Sequence, residues 1–236
     1  MKLLAVDTCA KSCSAAVADG DRILGEVTLR RRETHSRHLM RLVDMVLEIA
    51  GVSLADIEAF GVTRGPGSFT GLRIGMSTVK GLALAADRPV VGISSLSALA
   101  LPLAWTGSLV CAMLDAGKKE VYSATFRCTD GRLPDDGGMP PESVLRPGDL
   151  LAEIAEPCIF VGDGVRAYGS MIESRLGRMA QLPSDAQHDI QAASVAQLAL
   201  IQMRRGALDA VDGLIPRYLR KSDAELSLGM QKGRTS

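Results

Sequence analysis

Apolar and polar positions follow two different periods along the first part of the chain. Leu3 to Val6 is a short apolar run, and the segments 13–18 and 22–29 lie on either side of an Asp-Gly-Asp turn. Short apolar runs bounded by such turns are typical of strands joined in hairpins. From Ser36 to Ala50 the apolar residues recur with a helical period instead. The pattern therefore predicts three antiparallel strands followed by a helix.

Strands and helices then alternate up to residue 93. The pattern predicts a strand at 59–63, a glycine-rich loop at 65–71, a helix at 72–86 and a strand at 90–93. The resulting order is βββαβαβ, and helical crossovers of this kind place the added strands parallel to one another. This order predicts a ribonuclease-H-like half-fold.

The second half of the chain repeats this order in a shorter form. The predicted elements are strands at 109–114, 121–126 and 158–161, and helices near 148–155 and after Gly164. Asp7 and Asp115 lead the two copies, and Lys11 and Lys119 follow them at the same distance. The alternative is a chance similarity between two short hairpins. Because duplicated halves are the plan of actin-like proteins, we predict an α/β, actin-like ATPase (ribonuclease-H-like) fold with two duplicated βββαβα lobes, the second reduced.

This division predicts three parts of the chain. We expect a ribonuclease-H-like first lobe at 1–104, a reduced second lobe at 105–212 and a largely mobile tail at 213–236. The last predicted helix, 192–205, is assigned to the second lobe, with packing back on the first lobe as an open alternative. The segment 129–149 is rich in Pro, Gly and Asp and is interpreted as a surface loop with little regular structure.

One uncharged stretch, Pro89 to Leu114, has the length of a membrane-spanning helix. Serines, Pro102 and Gly107 interrupt it, and such residues favour short elements over one long helix. We therefore predict a strand, a short helix from about Ser95 and a second strand, without a membrane segment.

Charge balance and cysteine spacing argue against a strongly basic nucleic-acid-binding protein, a disulfide-rich protein and a structural zinc protein. The 27 Lys and Arg residues balance the 27 Asp and Glu residues, so any RNA contact has to be local or shared with a partner. The triplet Arg30-Arg31-Arg32 is interpreted as a solvated strand end. The five cysteines contain no CxxC pair, which fits neither a disulfide framework nor a structural zinc site and indicates a reduced, cytoplasmic protein.

The glycine-rich loop at 65–71 is the main candidate for chemistry. Amides at a helix start form a natural anion site, although the loop lacks the ending of a Walker motif. Either the loop faces a phosphate, or its Gly and Pro only make a tight turn, and spacing does not separate these interpretations. The absence of a glycine after the first strand favours a simple strand-end turn there. The candidate nucleotide or anion contacts are Asp7, Thr8, Gly65, Gly67, Ser68, Thr70 and Arg73.

Catalytic and metal-binding groups are sparse. His35 and His38 lie three residues apart without an obvious acid to complete a metal site, and His188 stands alone. All three are interpreted as isolated surface histidines. A Ser-His-Asp constellation stays open on letters alone, but no GxSxG elbow marks a nucleophile. We predict neither a catalytic residue nor a metal ligand.

Two predicted helices carry more apolar surface than one sheet can cover. Helix 36–50 has one narrow polar stripe, and helix 72–86 has apolar residues around several small ones. These faces suit contact with the helices of another protein, whereas the alternative is that neighbouring elements of the same chain cover them. The residues predicted to form a partner interface are Leu39, Leu42, Val43, Val46, Leu47, Leu72, Ile74, Met76 and Val79.

Three segments resemble the TsaB family, and the match spans nearly the whole chain. They are GVTRGPGSFTGLRIGMSTVKGLA from Gly61, DAGKKEVYSA from Asp115 and PRYLRKSDAE from Pro216. That family resembles the catalytic TsaD family in fold. The resemblance implies a role in making threonylcarbamoyladenosine at position 37 of tRNAs that read codons beginning with adenine, as the non-catalytic partner.

The catalytic relatives carry a histidine pair for metal in a segment that resembles NHLEGH. The corresponding segment here runs from Ser94 to Leu99, where Ser95 and Leu99 replace the two histidines and supply no imidazole. The resemblance therefore implies a subunit without the metal site. A departure from the family is the segment Asp115-Ala116-Gly117, which lacks the arginine of the usual DAR and leaves any contact of that arginine in doubt.

The resemblance also implies the partners. We expect the two apolar helices to bind and activate a TsaD-like catalytic subunit, a TsaE-like ATPase to join, and tRNA to be met only through the complex. No intrinsic cofactor is expected, with ATP or ADP at the partner interface and a homodimer of the lone chain as open alternatives. Val43→Arg or Val46→Arg would then abolish the heterodimer and leave the monomer folded. The competing hypothesis is an independent actin-like ATPase or kinase that uses Asp7, Thr8 and the loop 65–71.

Overall fold

The structure, a computed structural model, describes residues 1–30, 35–134 and 139–220. In chain order the first lobe contains β1 (Lys2–Asp7), β2 (Ser12–Asp19), β3 (Arg22–Arg30), α1 (His35–Ala50), β4 (Ala59–Gly65), α2 (Phe69–Ala86), β5 (Val90–Ser94) and α3 (Ser95–Ala100). The second half contains β6 (Leu109–Gly117), β7 (Glu120–Arg127), β8 (Ser143–Leu145), α4 (Pro147–Ala152), β9 (Cys158–Val161), α5 (Asp163–Leu176), β10 (Ala180–Gln181) and α6 (Ala192–Arg204).

The two halves have the same sheet topology. The first sheet has the order β3-β2-β1-β4-β5, and the second has the equivalent order β8-β7-β6-β9-β10. In each sheet the first three strands are antiparallel, and the strands after the helical crossovers are parallel to their neighbours. The predicted duplication and the actin-like fold are therefore confirmed.

The second lobe is less reduced than predicted. Strand β8 lies within the segment 129–149, which was predicted to have little regular structure, and it pairs with β7 through Val121 and Leu145. Residues 135–138 of that segment lie outside the described residues. A three-residue strand is too short to show an alternating pattern in the sequence, so the hydrogen bonds of its neighbour determine it.

The chain forms five layers, in which each sheet lies between helices. Apolar residues of β1 alternate, with Leu4 and Val6 under α1 and α2, and Leu3 and Ala5 on the opposite face. That opposite face meets α3, α6 and the second sheet in one continuous core, and α4 and α5 cover the far side of the second sheet. Helix α6 lies directly on the first sheet, since a Cβ atom on Gly61 would be 3.1 Å from the Ala199 side chain.

The uncharged stretch from Pro89 to Leu114 divides into separate elements, as predicted. It contains β5, α3, a 3-10 helix (Leu101–Thr106) and the first part of β6. Within the described ranges, no helix is both long enough and apolar enough to cross a membrane.

Residues 209–220, which we call the strap, follow α6 and lie along the first lobe. The Asp209 N–H donates to the Val90 carbonyl at the edge of the first sheet, and Leu214 is buried beneath α2. The Arg217 N–H donates to the Arg64 carbonyl at 2.7 Å. The predicted mobile tail is therefore wrong for 213–220, because apolar burial and backbone pairing hold this part; the remainder of the tail lies outside the described residues.

Candidate functional site

Helix α2 begins three residues earlier than predicted, and hydrogen bonds within the protein occupy its start. The Ser68 hydroxyl caps the helix by accepting from the Gly71 N–H at 3.2 Å. The Ser68 N–H donates to the Cys9 carbonyl at 2.7 Å. Thr70 lies in the first helical turn rather than in a loop. Part of the amide array that a helix start offers to an anion is thus used internally.

Thr8 and the glycines of α2 make a close contact between the end of β1 and the helix. The buried Thr8 hydroxyl donates to the Gly71 carbonyl at 2.7 Å. A Cβ atom on Gly71 or Gly75 would overlap Thr8, and one on Gly67 would overlap Cys9. These glycines allow the end of β1 and the start of α2 to touch. This contact favours the interpretation of the glycines as part of a tight turn over that of a loop that faces a phosphate.

Asp7 is buried within the same region. Its Oδ1 atom accepts from the Thr63 hydroxyl at 2.7 Å and from the Cys9 N–H at 3.2 Å. Burial, followed by the negative charge of Asp7, raises the pKa of the Cys9 thiol well above its usual range, so the thiol stays protonated. The structure brings Asp7, Thr8, Gly67 and Ser68 together through internal contacts, whereas Arg73 packs on Phe69 and Tyr218. Nucleotide binding by the candidate residues stays a prediction.

Arginines of the strap reach the second lobe. The Arg217 Nε atom lies 3.2 Å from Glu142 Oε2, and Arg220 Nη1 lies 3.1 Å from Glu120 Oε2. Arg220 also donates to the Ala116 carbonyl at 3.3 Å. A guanidinium from the strap therefore lies beside the Asp-Ala-Gly turn that lacks the arginine expected from the family resemblance.

Lys11 meets carboxylates of the second lobe across the cleft. Its Nζ atom lies 3.6 Å from Asp115 Oδ2 and 3.8 Å from Asp163 Oδ2. The Asp115 N–H donates to Asp163 Oδ1 at 2.8 Å, and burial raises the pKa of the Asp163 carboxyl. Since Lys11 is largely exposed, this contact contributes little stability, but it brings the repeated Asp and Lys positions of the two hairpins together.

Four charged residues, Arg30, Arg166, Asp185 and Asp189, form what we call the interlobe clamp. The nearly buried Asp189 carboxylate accepts from Arg30 of the first lobe, and from Arg166 of α5 at 2.8 Å. The two guanidinium groups also lower the pKa of Asp185 to about 2. Arg30 is the last residue of β3 and remains exposed, as predicted for a solvated strand end, but it also pairs with two carboxylates that are distant in sequence. Arg31 and Arg32 of the predicted triplet lie outside the described residues.

His188 lies beneath the clamp and is buried, so its prediction as a surface histidine is wrong. Its Nδ1 atom accepts from the Gly162 N–H at 3.3 Å, at the start of α5. Burial, followed by the positive charge of Arg166, lowers the pKa of the imidazole from its ordinary value of 6.5. The folded protein thus favours neutral His188.

Acidification should destabilise the fold through His188. Because its folded pKa is depressed, the unfolded chain binds more protons, and the free energy of unfolding falls as the pH drops through about 6.5. In His188→Asn, whose amide oxygen can replace the Nδ1 acceptor, urea unfolding should depend less on pH between about 7.5 and 5.5. Equal pH dependence of the two proteins would contradict this assignment.

The residues predicted to form the partner interface mostly belong to the core of the first lobe. Every one except the half-buried Ile74 is buried, including Val43 and Val46, which are 1% and 0% exposed. Helix α1 lies across β2 and β3, and α2 lies across β4, so the sheet covers these side chains. The predicted interface role of the buried residues is therefore wrong for the folded chain, and so is the expectation that arginine at 43 or 46 leaves it folded.

Other apolar side chains of the same helices do face outwards. On α1 these include Met45 and Ile49, which lie one helical turn apart, are 39% and 59% exposed, and are called the α1 stripe below. Met40, which is 44% exposed, lies on the other side of the polar face of the helix. On α2, Leu84 is 63% exposed. The helical period in the sequence indicated an apolar excess, but only the position of the sheet shows which part of it remains uncovered.

The segment that the family resemblance places opposite the NHLEGH-like segment lies at the end of β5 and in α3. Ser95 and Leu99 are buried there, and neither is a metal ligand. Among residues 1–30, 35–134 and 139–220, no group of three His, Cys, Asp or Glu side chains is arranged to hold a metal ion.

Several known proteins that are similar in sequence to this chain belong to one pathway of tRNA modification. The model of the family TsaD, tRNA N6-adenosine threonylcarbamoyltransferase, matches residues 22–228. The chain is 32% identical over 232 residues to the tRNA threonylcarbamoyladenosine biosynthesis protein TsaB of Escherichia coli, and 30% identical over 227 residues to that of Bacillus subtilis. Each alignment covers 95% of this chain and 96% of the relative.

A solved structure extends the similarity to three dimensions. YeaZ from Pseudomonas aeruginosa is 30% identical and superposes with a TM-score of 0.75, covering 92% of this chain and 99% of that one. The matches in sequence and in fold both extend over almost the whole chain. The chain therefore belongs to the TsaB family and acts in tRNA threonylcarbamoyladenosine biosynthesis.

Proposed function

We propose that this chain is a non-catalytic, cytoplasmic subunit that binds and activates a TsaD-like catalytic subunit, which forms threonylcarbamoyladenosine at position 37 of tRNAs that read codons beginning with adenine. The observation that carries the proposal is the exposed α1 stripe. The family resemblance adds that Ser95 and Leu99 replace the two histidines expected in the catalytic relatives. Exposed contiguous apolar side chains on a rigid helix are typical of a protein interface.

The chain's own polar groups support an accessory role over an independent one. Asp7 and Thr8 are buried and hydrogen-bonded within the protein, so they are not presented to a nucleotide in the cleft. In this proposal the chain holds no intrinsic cofactor, and any ATP or ADP lies at the partner interface. A TsaE-like ATPase joins the assembly, tRNA is met through the complex, and a lone chain pairs with itself through the α1 stripe.

Met45→Arg and Ile49→Arg should each disrupt the heterodimer without unfolding the chain. Both side chains are exposed, so arginine is tolerated in the monomer, but it would be desolvated without a partner charge in the complex. We expect each change to weaken binding by about 30-fold or more, the loss typical of an interface hot spot. Light-scattering chromatography with a TsaD-like subunit measures the complex, and thermal melting checks the fold.

The matched control is Met171→Arg, since Met171 is 40% exposed on α5 of the second lobe. Heterodimer formation by Met171→Arg together with its loss in Met45→Arg would support the proposed interface. Equal binding by all three variants would contradict it. Threonylcarbamoyladenosine synthesis should require both subunits, whereas ATP turnover by this chain alone would favour an independent ATPase or kinase.

A further inference from the structure

A shallow groove lies between α2 and the strap on the first lobe. It encloses about 340 Å³, with Met76 and Leu214 in its floor and Arg73, Ser77, Lys80 and Tyr218 around its rim. The strap forms one wall, so the groove exists only because residues 214–218 fold back along the helix. An apolar floor with a polar, basic rim suits a ligand that is planar in one part and negatively charged in another.

Two positive charges of the rim lie without a carboxylate partner among the described residues. Lys80 Nζ donates to the Asp212 carbonyl at 3.4 Å, and Arg73 Nε donates to the Tyr218 hydroxyl at 3.1 Å. In the part of the chain that the structure describes, neither cation forms an ion pair with an acidic side chain, unlike Arg217 and Arg220 of the strap. Residues 73 and 80 are two helical turns apart, so they present their charges along one flank of α2.

Aromatic rings lie at one end of the groove. Phe69 and Tyr218 stack with their centroids 4.9 Å apart, and the Arg73 guanidinium lies 3.8 Å from the Phe69 centroid. Both rings remain more than one third exposed. Phe69 already contacts both Arg73 and Tyr218. The exposed part of the Tyr218 ring is therefore the surface on which a further planar group can stack.

The groove lies on a different flank of α2 from the proposed partner interface. Ile74 and Leu82 pack against the core shared with α1, whereas Arg73 and Lys80 line the groove beside the strap. A partner that covers the α1 stripe therefore leaves the strap side of α2 accessible.

We propose that this groove binds an unpaired segment of the tRNA substrate, with phosphates at Lys80 and Arg73 and a base stacked on Tyr218. Proteins recognise single-stranded RNA by this combination of cations for the backbone and aromatic faces for the bases. The proposal rests on the proposed function in that tRNA reaches the groove within the complex, and it adds direct RNA contact by this subunit. An acidic peptide would match the cations but gives no role to the exposed stacking ring.

Lys80→Glu tests the electrostatic part of this proposal. Fluorescence anisotropy with a labelled RNA hairpin that has an unpaired loop is measured on the heterodimer at several salt concentrations. We expect about tenfold weaker binding at low salt, and a salt slope that is smaller by about one. The control is Arg178→Glu, which makes the same charge change at an exposed position of the second lobe and should bind like the unmodified protein.

Tyr218→Ala tests the stacking part. It should weaken binding of the hairpin about tenfold or more, the loss expected for one stacked base, and leave a fully paired RNA duplex unaffected. Tyr218→Phe retains the ring and should bind normally. Equal affinity of Lys80→Glu and Arg178→Glu for the hairpin would overturn the proposal. So would a Tyr218→Ala variant that loses as much affinity for the duplex as for the hairpin.

Light scattering of the same samples separates this proposal from the proposed function. Loss of the heterodimer in Lys80→Glu would assign the groove to a protein partner and overturn RNA binding there. If the unmodified chains form no heterodimer, the proposed function fails, and the same titrations on this chain alone, with Arg178→Glu as reference, still decide whether the groove binds RNA.

Discussion

Val46→Arg should unfold the first lobe rather than only block partner binding. Val46 is fully buried, and its methyl group approaches Gly25 of β3, where a Cβ atom would be 3.6 Å away. An arginine there buries a charge that has neither a carboxylate partner nor water around it, which lowers the free energy of unfolding by about 3–5 kcal/mol. Its larger side chain also overpacks the core. Because domains are stable by only about 5–15 kcal/mol, we expect insoluble protein or the loss of a cooperative thermal transition.

Met45→Arg is the neighbouring control for this prediction. Met45 precedes Val46 by one residue, but it is 39% exposed because successive positions on a helix face different directions. It should melt within about 2–4 °C of the unmodified protein, since exposed substitutions usually change stability by less than about 1 kcal/mol. A cooperative, unshifted transition in Val46→Arg would show that α1 does not pack on the sheet as described.

Gly162→Ala should be the most damaging methyl addition in the second lobe. Gly162 has a φ of 113° and a ψ of 172° at the start of α5, a backbone region that is essentially restricted to glycine. A Cβ atom there would also overlap the Met113 carbonyl oxygen of β6. We expect a loss of about 3 kcal/mol or more, because the 1–3 kcal/mol cost of that conformation is increased by the overlap.

Gly169→Ala provides the matched comparison within the same helix. A Cβ atom on Gly169 would lie 3.6 Å from the Leu182 side chain, which is an ordinary contact, and alanine is favoured over glycine in a helix interior by up to about 1 kcal/mol. Urea unfolding should therefore show stabilisation or no change for Gly169→Ala and a large loss for Gly162→Ala. Similar effects of the two changes would contradict the close approach of α5 to β6.

The order of the elements was predictable because it depends on local periods. Alternation and short apolar runs marked β1 to β7 and β9, and the helical period marked α1 and α2. Strands β8 and β10 were missed because three and two residues contain too little pattern, and pairing with β7 and β9 determines them.

The candidate site was predictable only in part. The sequence indicated one candidate site of Asp7, Thr8 and the glycine loop, and these do lie close together because β1 and β4 are neighbouring parallel strands. It did not indicate that Thr8 and Ser68 hydrogen-bond to the protein's own backbone. The interlobe clamp was also missed, because Arg30 lies more than 150 residues from its acidic partners and no local pattern joins them.

The sequence by itself determined the element order, the duplication of the lobes and the amount of apolar surface on α1 and α2, since these depend on periods within short segments. The tertiary structure decided which apolar side chains stay exposed, because the position of the sheet beneath each helix covers Val43 and Val46 and leaves Met45 and Ile49 outside. It also decided the groove beside α2, because the strap returns to that helix through contacts between residues distant in the chain.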